Sequence, residues 1–202
     1  MMNTSTLPGA LQLPLPATGG RPPGDLAVWF VIFAELLTFG LFFLTYGFTR
    51  ASNVALFDAS QQLLDRRTGA INTVLLITSS YFVVRAVAAI KADDGRSAAR
   101  WLFAAMGLGG GFIALKLNEF VHSFAAGITL SANTFYMFYL SLTAFHFLRV
   151  VVGLLVLGII AQKTWAGGYG AAEHTGMETG AVYWHMVDMV WIVLFPLVYV
   201  IH

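Results

Sequence analysis

Residues 26–49 read LAVWFVIFAELLTFGLFFLTYGFT, 24 residues with a single charge, Glu35. At the rise of an α-helix this stretch is roughly 36 Å long, enough to cross a hydrocarbon core of about 30 Å. Its apolar residues occupy every face. A barrel strand would alternate and would need only about 10 residues, so the stretch is a helix. Four further apolar stretches follow, at residues 70–90, 101–121, 133–161 and 180–201. The 29 residues of the fourth imply a tilted helix or a protruding end. Charges punctuate the boundaries: Asp25, Arg50, Lys91, Asp93, Asp94, Arg100, Lys163 and Glu178. The expected fold is all-α, a polytopic membrane protein whose residues 25–202 form one five-transmembrane-helix bundle.

Composition places the chain in the same class. Of 202 residues, 58% are hydrophobic and 10% charged, against about 25% charged in a soluble domain. Too few charges are present to coat a soluble globule, and mean hydropathy is +0.75. A net charge of +1 is no footprint for nucleic acid. The absence of cysteine excludes disulfides, thiol chemistry and iron–sulfur ligation. Residues 1–24 hold five of the six prolines and one charge, Arg21. No basic segment precedes an apolar one there, so this part reads as a flexible Pro-rich arm and not as a signal peptide. There is no internal repeat of the kind that marks inverted-repeat transporters.

Loop charge sets the expected orientation. Arg21, Lys91, Arg96, Arg100 and Lys163 lie on the N-terminal side, against Arg50, Arg66 and Arg67 on the other, five to three. The N-terminus is therefore expected in the cytoplasm and the C-terminus in the periplasm. Trp29, Trp101, Trp165 and Trp184 fall near the inner interface; Tyr46, Tyr136, Tyr139 and Tyr199 fall near the outer one. In the first outer loop, 51–69, Leu56, Phe57, Leu63 and Leu64 recur at near-helical spacing. They fit a short helix on the membrane surface or an ordinary loop equally well.

Ionisable residues within spans are costly and usually face the bundle interior. Counted from the cytoplasmic end, Arg85 lies roughly 9 Å deep, His185 about 10, Glu35 about 14, Asp188 about 15 and Arg149 about 18 Å. These five form an inner polar cluster whose charges cancel. Lys116, Glu119 and His146 form an outer group at roughly 22–28 Å, with Lys116 and Glu119 three apart on one helix face. Both groups fit structural ion pairing, and both also fit a proton path or ligand site. Metal coordination needs three or four converging ligands, and the spans offer two histidines, His146 and His185. Their depths differ by about 12 Å, against a bis-histidine haem. Gly107 and Gly111 form a small-residue face for helix packing. Pro196 should bend the last helix.

These residues carry a resemblance. YWHMVDMVWIVLF at 183–195 resembles the signature of subunit III of the haem-copper oxidases. Glu35 followed by Phe39, Phe42 and Phe43 is similar to an earlier helix of that family. NTVLLITSS at 72–80, KLNEF at 116–120, and Thr143, Ala144, Phe145 and His146 through Val150 and Gly153 resemble its other motifs in order. The full-length family has seven helices, and this chain resembles the last five. Its five-helix length, FDASQ at 57–61 leading to Gly69, and LFPL at 194–197 resemble the shortened NorE-type branch associated with nitric oxide reductase.

The resemblance implies a subunit with no catalytic centre, cofactor or metal of its own, haem residing in the partner. It implies a place in the bacterial cytoplasmic (inner) membrane, in contact with membrane lipid. The partner it implies is the catalytic subunit of a haem-copper oxidase or nitric oxide reductase. Glu35 matches the family's carbodiimide-reactive carboxyl. Two residues depart from the pattern: Arg149 stands where the family usually has a second His, and Ala144 where it has Gly. No role of that His transfers. The two helices absent here form one wall of a phospholipid-holding cleft in full-length relatives, so lipid binding of that type is not carried over. Two readings from other classes stand beside this one. One is a small proton- or ion-conducting protein using Glu35, Asp188 and His185; the other is a membrane enzyme with its own metal.

Overall fold

The computed structural model describes residues 25–201. The Pro-rich arm, residues 1–24, lies outside the described residues. Six α-helices follow one another: α1 (Leu26–Ala51), α2 (Val54–Gln61), α3 (Arg66–Lys91), α4 (Gly95–Ala125), α5 (Thr134–Trp165) and α6 (Thr175–Phe195). A π-helical turn, Pro196–Val200, continues α6. No strand occurs among the described residues. Helices α1, α3, α4, α5 and the Thr175–Val200 unit are long and apolar enough to span a membrane. The five expected spans are these five helices.

The helices outrun the apolar stretches because their caps lie in polar sequence. Asp65 accepts from the backbone N–H of Arg67 and Thr68 and starts α3 four residues before the apolar run. Asp94 accepts from Ser97 N at 3.0 Å, and Asn133 from Tyr136 N at 2.8 Å. At the C-terminal ends, Gly127 (φ 78°) and Gly167 (φ 77°) adopt the left-handed conformation that terminates α4 and α5. The following N–H groups close back onto Ser123 O and Lys163 O at 3.0 and 2.9 Å.

Helices α3 to α6 make the bundle, with α4 between α3 and α5, and α6 closing against α3 and α5. Helix α1 packs on its outside, mainly against α6, and Asp25 N donates to Thr179 Oγ1 at 3.0 Å. It buries only Val28, Ile32, Glu35, Phe39 and Tyr46, whereas the shorter α6 buries eleven residues. Trp184, Trp191, Tyr139, Tyr199 and Phe112 dominate the core by volume.

The first outer loop contains a helix, α2, and that helix is a plug. Phe57, Ser60 and Gln61 are buried. Phe57 sits edge-on between Tyr46 and Phe135, with ring centroids 5.3 and 5.5 Å away. Gln61 Nε2 reaches Tyr46 OH at 3.2 Å and the carbonyls of Val198 and Leu197 at 3.0 and 3.4 Å. Those carbonyls belong to the π-turn that begins at Pro196. Proline cannot continue the α-helical ladder, and the last span changes there from α to π pitch, ending with Ile201 N bonded to Pro196 O at 2.9 Å. Gln61 donates to backbone carbonyls within this turn.

Among the described residues no helix of this chain crowds Gly107 or Gly111. A Cβ added at Gly107 would meet nothing within 4 Å, and one at Gly111 only Leu75 at 3.5 Å. Close approach falls instead on Gly109 and Gly153. Both face the Trp184 indole, with distances from 2.8 Å to an added Cβ. A bulky ring, not a backbone, is what these small residues admit.

Candidate functional site

The outer polar group is built on three elements. Lys116 on α4 is fully buried. Its Nζ lies 3.0 Å from Glu119 Oε2 and donates to Tyr199 OH at 2.6 Å. Glu119 Oε1 in turn accepts from Tyr199 OH at 2.7 Å and from Tyr139 OH. Four rings surround the ammonium: Tyr139, Phe120, Tyr199 and Trp191, with centroids 5.2, 5.3, 5.3 and 5.6 Å away. The hydrogen bonds therefore join α4, α5 and the π-turn through one carboxylate and one ammonium, and Trp191 adds a ring from α6. A cleft of about 320 Å³ opens beside it, lined by Glu119 and Tyr139 with His122, Ser123, Asp65 and Thr68. At its rim the Thr68 hydroxyl holds Asp65 below the ordinary carboxylate range.

His146 is at the depth of this group, but it is not in the hydrogen-bond network. Its ring packs against Trp191 and Phe112, at 5.0 and 5.6 Å between centroids, and both ring nitrogens are buried without a partner. Asn72, fully buried on α3, likewise has no partner for its amide.

The inner cluster does not converge as a single site. Glu35 and Arg149 do pair, Arg149 Nη2 to Glu35 Oε1 at 2.7 Å, and tie α1 to α5. Asp188 and His185 lie on the opposite side of α6, against α3. There His185 Nδ1 is 3.2 Å from Ser80 Oγ, and Ser80 also faces the Asp188 carboxylate. Arg85 points away from all four: it is exposed, 3.2 Å from Tyr81 OH and over the Trp101 ring at 5.2 Å. Depth alone groups residues that rotation about the helix axis separates.

A third polar group lies at the inner helix ends. Lys91 Nζ bonds Glu178 Oε1 at 2.7 Å, and His174 Nε2 lies 3.4 Å from the same oxygen. The sequence presents Lys91 and Glu178 as boundary charges. The i, i+4 spacing of His174 and Glu178 is the signal for the rest. His185, Lys91 and Glu178 line a shallow groove of about 330 Å³. Across the outer surface, Arg50 pairs with Asp58 at 3.0 Å and fixes α2 to the end of α1. Among the described residues no three His, Asp or Glu side chains are grouped closely enough to hold a metal ion.

These features define a multi-pass helical membrane protein whose intramembrane charges act mainly as ties between helices. The chain belongs to the cytochrome c oxidase subunit III family, whose description, Cytochrome c oxidase subunit III, matches residues 25–202. It is 37% identical over 132 residues to cytochrome c oxidase subunit 3 of Thermostichus vulcanus, covering 65% of this chain and 64% of that one. It is 33% identical over 126 residues to cytochrome bo(3) ubiquinol oxidase subunit 3 of Pseudomonas aeruginosa, covering 62% and 60%. A heme-copper oxidase subunit I+III of Aeropyrum pernix is 28% identical over 181 residues, which make up 87% of this chain and 22% of that protein. The chain spans less than two thirds of the length of the first two relatives.

Proposed function

We propose that the chain is an accessory subunit of a haem-copper-type respiratory oxidoreductase, without a cofactor or catalytic centre of its own, and that the haem sits in a partner catalytic subunit. The observation that carries this reading is the family match across residues 25–202. The Aeropyrum pernix relative, described as subunit I+III, supports physical association with the catalytic subunit. The internal arrangement is compatible with a stabilising role: Lys116 and Glu119 are bonded to each other and to tyrosines of two other helical segments.

Within that reading, we favour a nitric oxide reductase of the denitrifying type as the partner and the shortened NorE-type branch as the subfamily. Support comes from the two segments that resemble that branch, 57–61 and 194–197. They touch one another, Gln61 reaching the carbonyl of Leu197. The proposed location is a bacterial inner membrane with the N-terminus cytoplasmic, on the loop charge asymmetry. A reporter fused after His202 should then behave as periplasmic.

The decisive experiment purifies the oxidoreductase with and without this chain and records haem spectrum, initial rate and rate decay. The expected result is an essentially normal spectrum with lower yield or faster decay when the chain is missing. A haem or metal that leaves stoichiometrically with the chain, and returns in the chain expressed alone, would overturn the reading. Proton flux by the chain alone in liposomes would instead favour a conducting role for Glu35, Asp188 and His185.

A further inference from the structure

Arg149 sits at the middle of α5, fifteen residues from Thr134 and sixteen from Trp165. That places it roughly 22–24 Å from either end of the helix. Its side chain is 35% exposed, although it bonds Glu35 Oε1 at 2.7 Å. Glu35 Oε2 is buried and has no hydrogen-bond partner. A guanidinium carries five N–H donors, and the bond to Glu35 is the one this side chain makes among the described residues. The guanidinium is thus left with unused donors at mid-span, on the outer face of the molecule.

The surface around it is apolar. Phe145, Leu148 and Val152 of α5 are exposed. Along the α1–α5 seam runs a groove of about 330 Å³, lined by Leu37, Leu41, Phe42 and Phe138 with the hydroxyls of Thr38 and Thr45. The Phe42 and Phe145 rings, 5.6 Å apart, join this groove to the Arg149 region.

What covers the seam follows from the hydrogen bonds it lacks. Lipid tails offer none. Headgroups lie about 15 Å from the bilayer centre, half the thickness of the hydrocarbon core and beyond the reach of one arginine. Arg85 makes the contrast: it is exposed too, but only six residues from the Lys91 end of α3, where its side chain can reach the interface. A protein helix can supply an acceptor for the exposed guanidinium, because polar side chains hydrogen-bond across helices inside membranes. Glu35 and Arg149 already cancel in charge, so a further ion would be left uncompensated. The complementary group is a neutral side chain that accepts from Arg149: Ser, Thr, Asn, Gln, Tyr or His.

We propose that the α1–α5 seam is the docking face for a transmembrane helix of the partner catalytic subunit, which presents such a neutral acceptor side chain to Arg149. The proposal rests on the accessory-subunit reading and adds to it the face and the chemistry of contact. The test uses the full complex in its native membrane, with a photo-reactive benzoyl-phenylalanine placed at Val152 or Leu37 on the seam. Ile77 on α3 and Phe103 on α4, exposed on other faces, serve as controls. Seam positions should cross-link to the haem-containing subunit at several-fold higher yield than the controls, with mass spectrometry placing the adduct on a membrane span. Arg149→Gln should lower the Val152 adduct several-fold. Partner adducts from Ile77 or Phe103 alone would overturn the docking face while leaving the accessory reading intact. Lipid adducts alone at the seam, in a complex that still co-purifies, would do the same. Failure of the chain to co-purify with any haem protein would overturn both.

Discussion

Replacing Lys116 with Met removes a fully buried cation enclosed by four aromatic rings and one carboxylate. The loss is set by what remains. Glu119 keeps its two tyrosine donors but loses its counter-charge at 3.0 Å, and Tyr199 loses a donor at 2.6 Å. Breaking a buried pair by removing one partner costs about 3–5 kcal/mol. For a chain of this size each kcal/mol moves the unfolding midpoint by roughly 2–4 °C. Lys116→Met should therefore lower Tm by roughly 6–20 °C. Glu119→Gln strands the ammonium among four rings and should cost a similar amount. The double substitution leaves no charge, and the Gln carbonyl still accepts from a tyrosine. Neutral replacements of a buried pair are often tolerated, so the double variant should lose only about 1 kcal/mol relative to wild type, which makes the coupling energy roughly 5 kcal/mol or above. The assay is thermal unfolding in detergent followed by tryptophan fluorescence, for which Trp191, 5.6 Å from the ammonium, is a local probe. If the two single effects simply add in the double variant, or if Lys116→Met costs under about 1 kcal/mol, the coupled ion-pair account fails.

Three further outcomes are expected. Gly109→Ala and Gly153→Ala drive a methyl into the Trp184 ring and should each cost about 1–3 kcal/mol, whereas Gly107→Ala, with nothing within 4 Å, should be neutral or slightly stabilising; unfolding midpoints of the three variants decide this. Gln61→Met leaves buried carbonyls of the π-turn without a donor and should cost about 1–3 kcal/mol, read as a lower midpoint and faster proteolysis of the C-terminal end. Asp65→Ala should cost about 1 kcal/mol at neutral pH through loss of the α3 cap. Because the Thr68 hydroxyl holds the Asp65 pKa down in the folded chain, that contribution is present above the unfolded carboxylate pKa of about 4 and disappears as pH falls through the lower folded value. The gap between wild type and variant should close on acidification; a gap that stays constant with pH would show that the cap does not act through the ionised carboxylate.

The five spans were legible because continuous apolarity over 20 or more residues has few meanings. The outer pair was legible for a different reason: Lys116 and Glu119 lie three apart on one helix, so their contact is a property of local geometry alone. Their tyrosine partners were not. Tyr139 and Tyr199 sit where interfacial tyrosines usually anchor a helix, and nothing local shows that both hydroxyls turn inward onto one carboxylate. Pro196 announced a break in the last span, but the change to π pitch and its satisfaction by Gln61 depend on a residue 137 positions away from Val198. Gly107 and Gly111 fitted a packing face by spacing, while the bulky neighbour that needs a gap, Trp184, faces Gly109.

The inner cluster separates what a depth count can and cannot resolve. Helix rise converts residue number into depth, and Glu35 and Arg149, estimated about 4 Å apart in depth, do bond. Rotation about each axis is set by packing, so Arg85, at a depth close to that of His185, faces outward while His185 turns toward Ser80. The same distinction bears on function. A conducting row needs polar groups in sequence along one path, whereas here Glu35 is bonded on the α1–α5 side and Asp188 and His185 face α3. What the charged ties of this chain achieve is register: α1 on α5 through Arg149, α4 on α5 and the π-turn through Glu119, and, at the helix ends, α3 on α6 through Lys91 and Glu178. The bundle fixed in this way leaves the unused donors of Arg149 at mid-span on its outer face, where the proposed partner helix would meet them.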